Sequence, residues 1–158
     1  MKVLVVSDSH GNINALRRAA AITGPDVVLH LGDHDSDCAE IRSILPDAMI
    51  RAVRGNCDPT SRELDADEFV LEGKRIFMVH GHNHGVKYGL EKFCTSVWCS
   101  GSKLGLYGHT HRPLWQEIRG MQIMNPGSIG SAQHPTFGLV RLENGAADCR
   151  ILDAQTDR

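Results

Sequence analysis

The stretch Lys2–His10, KVLVVSDSH, decides the fold because it joins an apolar run to a cluster of polar side chains. The same succession occurs four more times along the chain. The apolar runs, which we interpret as β-strands, are Val3–Val6, Val27–Leu31, Met49–Val53, Ile76–Val79 and Leu104–Tyr107. The clusters that follow them are Asp8-Ser9-His10, Gly32-Asp33, Gly55-Asn56-Cys57-Asp58, His80-Gly81-His82 and Gly108-His109-Thr110-His111. Sites in open α/β sheets form at the carboxyl ends of the strands, so we expect these clusters to meet in space.

The spacing of the polar side chains within these clusters indicates metal binding. In an extended backbone, residues two positions apart project to the same face. Asp8 with His10, and His109 with His111, would then aim at one point in space. Carboxylates, an amide and imidazoles at one edge are typical ligands of divalent cations, and their number predicts a site for two metals.

Composition limits the classes of protein to which the chain could belong. Its 158 residues, 41% of them hydrophobic, predict one compact domain over residues 1–158. The net charge is −2 and no block of basic residues occurs, which argues against a dedicated nucleic-acid surface. No apolar run approaches the roughly 20 residues that a membrane span needs, and the N-terminal run is too short for a secretory signal.

The cysteines indicate a reducing environment. Their number is odd and no CxxC spacing occurs among Cys38, Cys57, Cys94, Cys99 and Cys149. This pattern argues against a disulfide framework and against a cysteine-based zinc site. We therefore expect reduced thiols in a cytoplasmic protein, most of them serving as small buried hydrophobes.

The order of predicted elements changes near the middle of the chain. In the first half strands alternate with helices, one from Asn12 to about Ile22 and one opened by a capping box of Asp37 and Glu40. After Asp58 the pattern becomes mixed and rich in hairpins, with one helix from about Val86 to Val97. The later predicted strands are Glu68–Leu71, Arg75–Val79, Leu114–Ile118, Met121–Met124, Phe137–Leu142 and Ala147–Leu152.

Read in order, the motifs D-x-H, GD, GN-x-D, HGH and GHTH resemble those of the calcineurin-like metallophosphoesterases. The chain is most similar to the small, cap-less prokaryotic phosphodiesterases of that superfamily, from Asp8 to about Ser128. Five motifs in this order are far more specific than any one alone. The resemblance implies a four-layer α/β/β/α sandwich with two mixed sheets. It also implies a dinuclear phosphodiesterase that hydrolyses a small or nucleotide-like phosphate ester by attack of a metal-bound hydroxide.

The resemblance further implies how two metals would be held. The first metal would be bound by Asp8, His10, Asp33 and His111. The second would be bound by Asp33, Asn56, His80 and His109, so Asp33 would bridge the two. Imidazole and oxygen ligands without a thiolate suit Mn²⁺, the metal we expect, and are also compatible with Fe, Zn²⁺ or Ni²⁺.

One position departs from the pattern of the wider family. Many members carry a histidine after the asparagine, as a general acid or phosphate contact, whereas this chain has Cys57. A thiol is a poor substitute for an imidazolium donor near neutral pH. Esters whose leaving groups need protonation should therefore react slowly, unless His82, which shares a face with His80, acts as the general acid.

The other polar residues near the motifs receive structural interpretations. We expect His30 to be packed within its strand or to lie behind the ligands, and His34 and His84 to be loop residues. Asp37 is interpreted as a cap. Asp58, which precedes Pro59, is interpreted as a turn residue or as a residue behind the ligands.

Three other functions stay open at this stage. A phosphomonoesterase would use the same metals, but the missing histidine at position 57 counts against it. A non-catalytic metal-binding scaffold on this fold would be expected to lose ligands, whereas all seven ligand positions are filled here. A nuclease is weakened by the absence of basic patches. Without a cap domain, selectivity for a small phosphate ester would come from loops such as Asn83–Tyr88 and Asn125–Ala132.

Overall fold

The computed structural model describes residues 1–155 and contains ten strands and three α-helices in that range. The strands are β1 (Lys2–Val6), β2 (Val27–His30), β3 (Met49–Ala52), β4 (Ala66–Leu71), β5 (Lys74–Val79), β6 (Leu104–Leu106), β7 (Leu114–Ile118), β8 (Met121–Asn125), β9 (Thr136–Glu143) and β10 (Ala146–Asp153). The helices are α1 (Ile13–Thr23), α2 (Cys38–Ile44) and α3 (Glu91–Cys99).

The strands form two five-stranded sheets, and each sheet is mixed. The first sheet has the order β10-β9-β1-β2-β3, in which β1, β2 and β3 are parallel and β9 and β10 are antiparallel to their neighbours. The second has the order β4-β5-β6-β8-β7, with a parallel centre of β5, β6 and β8 between antiparallel edge strands. Two mixed sheets agree with the predicted fold class.

Strand β1 shows how the layers are stacked, because its alternate side chains enter two different cores. Val3 and Val5 pack between the two sheets with apolar residues of β5 and β6. Leu4 and Val6 pack on the opposite face, with apolar residues of α1 and α2. Helix α3 covers the outer face of the second sheet through Phe93. The layers therefore follow the order helix, sheet, sheet, helix, which confirms the α/β/β/α prediction.

The carboxyl ends of the parallel strands of both sheets meet at one edge. Within the second sheet, the amide of Gly108 after β6 donates to the carbonyl of His80 after β5 at 2.9 Å. The ring of His80 reaches across to the first sheet, where its Nδ1 lies 2.7 Å from the carbonyl oxygen of Leu31. Loops from both sheets therefore contribute to one surface of the molecule.

Helix α3 begins later than the sequence pattern predicts. The predicted start at Val86 is wrong, because residues 85–88 form turns, residues 89 and 90 are not helical, and the first helical residue is Glu91. Gly85 has a left-handed φ of 60°, and Gly89 has a φ of 159°, far from helical values. Two non-helical glycines within five residues interrupt the backbone hydrogen-bonding pattern of a helix, although Val86 itself is buried.

The predicted capping box of α2 is also wrong. Asp37 does precede the helix, but its side chain makes no capping hydrogen bond. Its Oδ2 atom instead accepts hydrogen bonds from the Ser9 hydroxyl at 2.7 Å and the Gly11 amide at 2.9 Å. By contrast, Asn12 caps α1 by accepting the amide of Ala15 at 3.2 Å, as expected. In residues 1–155, no helix combines the length and apolar character that a membrane crossing requires.

Candidate metal centre

A first group of donor atoms comes from the loop after β1 and the loop after β6. One donor atom from each of Asp8, His10 and His111 lies within 4.8 Å of the others. The Nε2 atom of His111 is 3.1 Å from Oδ1 of the buried Asp8 carboxylate. The other oxygen of Asp8 accepts hydrogen bonds from the Ser7 hydroxyl at 2.6 Å and the His109 amide at 3.1 Å. These two bonds fix the carboxylate so that Oδ1 faces the two imidazoles.

A second group of donors is centred on His80. The donor atoms of Asp33, His80 and His109 lie within 4.8 Å of one another. The Nε2 atom of His80 is 3.1 Å from Oδ1 of Asn56, 3.2 Å from Nδ1 of His109 and 3.4 Å from Oδ2 of Asp33. Two imidazoles, an amide oxygen and a carboxylate therefore converge on one small volume.

The chemistry of this second group fits a cation. His80 Nδ1 lies 2.7 Å from the carbonyl of Leu31, so it is the nitrogen that carries a hydrogen and donates it. The Nε2 lone pair of neutral His80 then faces the acceptor oxygens of Asn56 and Asp33. Acceptor atoms that point at one another need a positive charge between them, which a divalent metal would provide.

The two groups are neighbours rather than separate sites. Oδ1 of Asp8, in the first group, lies 3.8 Å from Nε2 of His80, in the second. Enzymes that use two metals hold the ions roughly 3.5–4 Å apart, a separation that requires adjoining ligand sets. The arrangement of donor atoms is therefore compatible with two metals side by side.

The backbone at these loops differs from the extended form assumed in the sequence analysis. Asp8, His10, Asp33, His109 and His111 all have positive φ values, between 44° and 66°. Asp8 and His10 nevertheless contribute to the same group, as expected, whereas His109 and His111, which are also two residues apart, contribute to different groups. A left-handed conformation costs a residue other than glycine about 1–3 kcal/mol and is concentrated at functional sites.

Asp58 holds the loop that carries Asp33. Its buried carboxylate accepts the backbone amides of Asp33, His34 and Gly55 at 2.7–2.8 Å. Gly55 is required here because a Cβ atom at this position would lie 2.1 Å from Oδ1 of Asp33. The structure thus places Asp58 behind the donor atoms, in agreement with its interpretation as a residue behind the ligands.

The loop 125–130 supports the first group from behind. The Ser128 hydroxyl and the Gly130 amide both donate to the carbonyl oxygen of Asp8, at 2.9 and 3.1 Å. The fully buried Asn125 donates to the carbonyl of Gly108 and to the hydroxyl of Thr110, both at 3.0 Å. The sequence alone does not reveal these partners, because they lie more than 100 residues away or across a strand.

A buried chain of hydrogen bonds behind the loops was not expected. His30 Nδ1 accepts the Gly32 amide at 3.1 Å, so Nε2 carries the hydrogen and donates it to the Ser9 hydroxyl at 3.0 Å. Ser9 in turn donates to Asp37 at 2.7 Å. Burial lowers the pKa of His30 to about 4, which keeps the ring neutral in this chain. The sequence showed only that His30 lies inside an apolar strand, and this does not identify its hydrogen-bond partners.

The pKa values of Asp33, His80 and His109 in the second group are shifted by burial and by the close contacts among these side chains. Burial acts to raise the pKa of Asp33, but hydrogen bonds from His80 and the Cys57 amide outweigh it and hold this pKa well below its usual value. Burial acts to lower the pKa of His80, and contacts with Asp33 and Asp8 more than offset it, so this pKa is raised. Burial and the charge of His80 lower the pKa of His109 to about 4. A proton on His80 thus occupies the position that suits a metal, and the two would compete.

Cys57 and His82, the expected substitutes for a proton donor, both border the second group. Cys57 is exposed, and its amide donates to Oδ1 of Asp33 at 2.9 Å. Burial and the nearby Asp33 carboxylate raise the pKa of its thiol. The ring of His82 lies 5.4 Å from that of His80 and 6.1 Å from that of His109, between ring centres. Burial and the charge of His80 lower the pKa of His82.

Two further histidines, His34 and His84, have different neighbours. The ring of His34 is 5.1 Å from that of His10, at the margin of the first group. His84 is turned away, because its Nε2 lies 3.1 Å from the Ser96 hydroxyl and its ring packs against Phe93. His84 is therefore placed as the structural interpretation expected, whereas His34 lies closer to the donor atoms than expected.

Comparison with known proteins identifies the family. Residues 1–145 match the family model of the calcineurin-like phosphoesterase superfamily domain. The chain is 30% identical to "Probable metallophosphoesterase YsnB" of Bacillus subtilis, over 97% of this chain and 91% of the relative. It is 27% identical to "Phosphodiesterase MJ0936" of Methanocaldococcus jannaschii, over 90% and 94% of the two chains.

The fold is also found among solved structures. The crystal structure of a conserved uncharacterized protein from Streptococcus pneumoniae aligns with a TM-score of 0.79 and 24% identity, over 98% of this chain and 90% of that one. This likeness supports the fold. Together with the match over residues 1–145 and the identity to YsnB, it confirms the resemblance seen in the five motifs. The chain belongs to the calcineurin-like phosphoesterase superfamily.

Proposed function

We propose that this chain is a dinuclear metal-dependent phosphodiesterase that acts on a small or nucleotide-like phosphate ester. The observation that carries this proposal is the pair of adjoining donor groups, which approach each other to 3.8 Å between Asp8 Oδ1 and His80 Nε2. Membership of a phosphoesterase superfamily supports the reaction class, and a relative named as a phosphodiesterase supports diesters.

We assign the ligands from the two groups. Asp8, His10 and His111 would hold one ion, while Asn56, His80 and His109 would hold the other. Asp33 would bridge them, and its low pKa keeps its carboxylate ionised at every working pH. Imidazole and oxygen donors favour Mn²⁺, with Fe, Zn²⁺ and Ni²⁺ as alternatives. When bound, two such ions would neutralise a phosphoryl group and supply hydroxide at neutral pH from water.

The chain itself orients these donors but offers no effective proton donor to the leaving group at Cys57 or His82. The amides of Cys57, Asp33 and Gly55 are locked by the Asp33 and Asp58 carboxylates, which preorganises the loop. The raised pKa of the Cys57 thiol makes it a weak acid, and the lowered pKa of His82 favours its unprotonated ring, so neither is an effective proton donor near neutral pH. We therefore propose that esters with good leaving groups react fastest, and that phosphomonoesters are poorer substrates.

The test is hydrolysis by protein reconstituted with Mn²⁺. Bis(p-nitrophenyl) phosphate should be cleaved with a higher kcat/KM than p-nitrophenyl phosphate, and a chelator should abolish both reactions. His80→Ala should abolish turnover, whereas His134→Ala, at an exposed histidine outside both donor groups, should not. A higher kcat/KM for the monoester would favour a phosphomonoesterase, and metal binding without turnover would favour a scaffold. The cytoplasmic location expected from the cysteines stays a prediction.

A further inference from the structure

A cavity of about 380 Å³ is lined in part by residues of the two segments that follow β5 and β6, the segments that also carry His80, His109 and His111. One wall is the turn after β5, including Val86, Lys87 and Leu90, and the other is the loop that includes Thr110 and Arg112. Thr110, which lines the cavity, stands between the donor residues His109 and His111 in the chain. Its volume lies in the range of about 300–1,000 Å³ that is usual for small-molecule sites. A larger cavity, of about 620 Å³, lies against α3, and neither Thr110 nor any other residue of the loop between His109 and His111 lines it.

The charged residues of the smaller cavity have no carboxylate partner. Elsewhere in the fold, arginines pair with acids, as Arg51 does with Asp67 at 2.8 Å and Arg54 with Asp65 at 2.6 Å. Neither Lys87 nor Arg112 forms such a pair within residues 1–155, and both are exposed. Lys87 is also close enough to His109 to contribute to the lowering of the pKa of that ring. Two uncompensated positive charges therefore border the cavity beside the metal centre.

Thr110 adds a hydrogen-bond donor to these charges. Its hydroxyl oxygen accepts the side-chain amide of Asn125 at 3.0 Å and the backbone amide of Arg112 at 3.2 Å. Both lone pairs of the oxygen are thus used, which leaves the hydroxyl hydrogen to be donated. No acceptor for it occurs among residues 1–155, and the side chain is half-buried at the cavity wall. An ammonium, a guanidinium and a hydroxyl without acceptors are the groups that bind a phosphate.

The remaining surface of the cavity is apolar. Val86 and Tyr107 are buried, and Leu90, Pro113 and Leu114 complete the lining. A ligand that fills this space would place an apolar body against these side chains and an anionic group near Lys87 and Arg112. An apolar sugar face or base that bears a phosphate has this combination.

We propose that this cavity binds the non-reacting half of the substrate, and that this half is a nucleoside-like body that carries a second phosphate. Because this assignment rests on the proposed phosphodiesterase function, its test must separate the two. The second phosphate would be held by Lys87, Arg112 and the Thr110 hydroxyl, while the scissile phosphodiester lies at the metals. The preferred substrates would then be esters with two phosphates.

The test compares two esters that release the same p-nitrophenol. They are p-nitrophenyl thymidine 5′-phosphate and its derivative with an added 3′-phosphate. In the parent protein loaded with Mn²⁺, the 3′-phosphorylated ester should have a kcat/KM about tenfold higher. Each of Lys87→Met and Arg112→Met should lower this ratio about three- to fivefold, the size expected for partly screened charges. Arg18→Met, which removes an exposed arginine on α1 far from the cavity lining, should leave the ratio unchanged. A ratio near one in the parent, or equal ratios in all variants, would overturn the assignment.

A binding measurement keeps the outcomes distinct. If neither ester is hydrolysed, the proposed phosphodiesterase function is wrong, but calorimetry of thymidine 3′-phosphate and thymidine still tests the cavity. The phosphorylated nucleoside should bind more tightly, and the double substitution of Lys87 and Arg112 by methionine should remove that advantage. Metal content is measured in every variant, so that loss of metal is not mistaken for loss of phosphate binding in the cavity. If the phosphate bound only to the metals, the double variant would still bind thymidine 3′-phosphate more tightly than thymidine. That result would refute the cavity assignment.

Discussion

The carboxylate of Asp58 accepts a hydrogen bond from the backbone amide of Asp33 at 2.8 Å. Asp58 is not one of the proposed ligands, yet it holds in place Asp33, the residue proposed to bridge the two metals. The same carboxylate accepts the amides of His34, Asp35 and Gly55, at 2.7–3.2 Å. Four amides directed at one buried carboxylate stabilise the left-handed backbone of Asp33 and His34. The position of the bridge therefore depends on a hydrogen-bond network that lies beneath it.

Asp58→Asn should destabilise this loop and weaken metal binding. The substitution replaces one acceptor oxygen by an NH₂ group that faces backbone donors, and hydrogen bonds to charged groups are worth about 1.5–3 kcal/mol. We expect the free energy of unfolding, measured in urea, to fall by about 2–3 kcal/mol. Metal affinity should fall by about 10–100-fold, as for other residues that orient ligands. Asp47→Asn, at an exposed aspartate, is the matched control. Unchanged stability of D58N would contradict the network.

Asp33→Asn should reduce activity more than the loss of any single histidine of the two groups. Replacing the carboxylate weakens the hold on both ions and increases their mutual repulsion, because one negative charge between them is lost. Metal-ion stabilisation of the transition state is worth several kcal/mol, so kcat/KM should fall by more than about 100-fold. Elemental analysis of the purified variant is measured with turnover. Two bound metals with near-parental turnover would show that Asp33 does not bridge.

His109→Ala and His111→Ala should remove different metals. His109 Nδ1 lies 3.2 Å from His80 Nε2, whereas His111 Nε2 lies 3.1 Å from Asp8 Oδ1. Each variant should therefore retain about one of two ions, as expected when adjoining ligand sets hold separate ions. Elemental analysis gives the count, and spectroscopy of Mn²⁺ distinguishes which environment survives. Unchanged metal content in both variants would eliminate the two-group assignment.

His30 should make the fold sensitive to acid. Its pKa is lowered from 6.5 to about 4 by burial, so between these values the unfolded chain binds a proton that the folded chain does not. The stabilisation is therefore present above pH 6.5 and is lost as the pH falls towards 4. The full effect is about 3 kcal/mol.

The measurement is the urea-unfolding free energy of the metal-free protein between pH 4 and 7. His30→Gln, whose amide can replace both hydrogen bonds of the ring, should show a smaller loss of stability on acidification than the parent. His134→Gln, at an exposed position, should behave like the parent. Equal pH dependence in H30Q and the parent would show that His30 is not the group responsible.

The sequence predicted the place of the donor residues well, because their place follows from local chemistry. Each apolar run, such as Val3–Val6, becomes a strand, and the polar residues directly after it must lie at the strand end. The directions of the side chains were not predictable in the same way. Asp8 and His109 adopt left-handed backbone conformations, which aspartate and histidine adopt more often than most residues but still rarely. Their occurrence at these positions depends on the packing of loops from both sheets.

Partners that are distant in the chain also escaped prediction. Asp37 and Glu40 have the spacing of a capping box, yet the Asp37 carboxylate is used by Ser9 and Gly11, more than 25 residues earlier. A capping hydrogen bond predicted from a local motif does not form when a tertiary contact lets the same buried carboxylate accept hydrogen bonds from two donors. Such competition can be recognised only when both segments are seen in space.

Cys57→His should shift the preference towards phosphomonoesters and esters with poorer leaving groups. Cys57 is exposed beside the Asp33 carboxylate, and its thiol has a raised pKa, whereas a histidine would titrate near neutral pH. A well-placed general acid contributes about 10²–10⁴-fold, and a grafted residue should realise about tenfold of this. The measurement is the ratio of kcat/KM for p-nitrophenyl phosphate to that for bis(p-nitrophenyl) phosphate, with Cys57→Ser as the control that adds no acid. If the ratio does not rise while metal content is intact, position 57 does not face the leaving group.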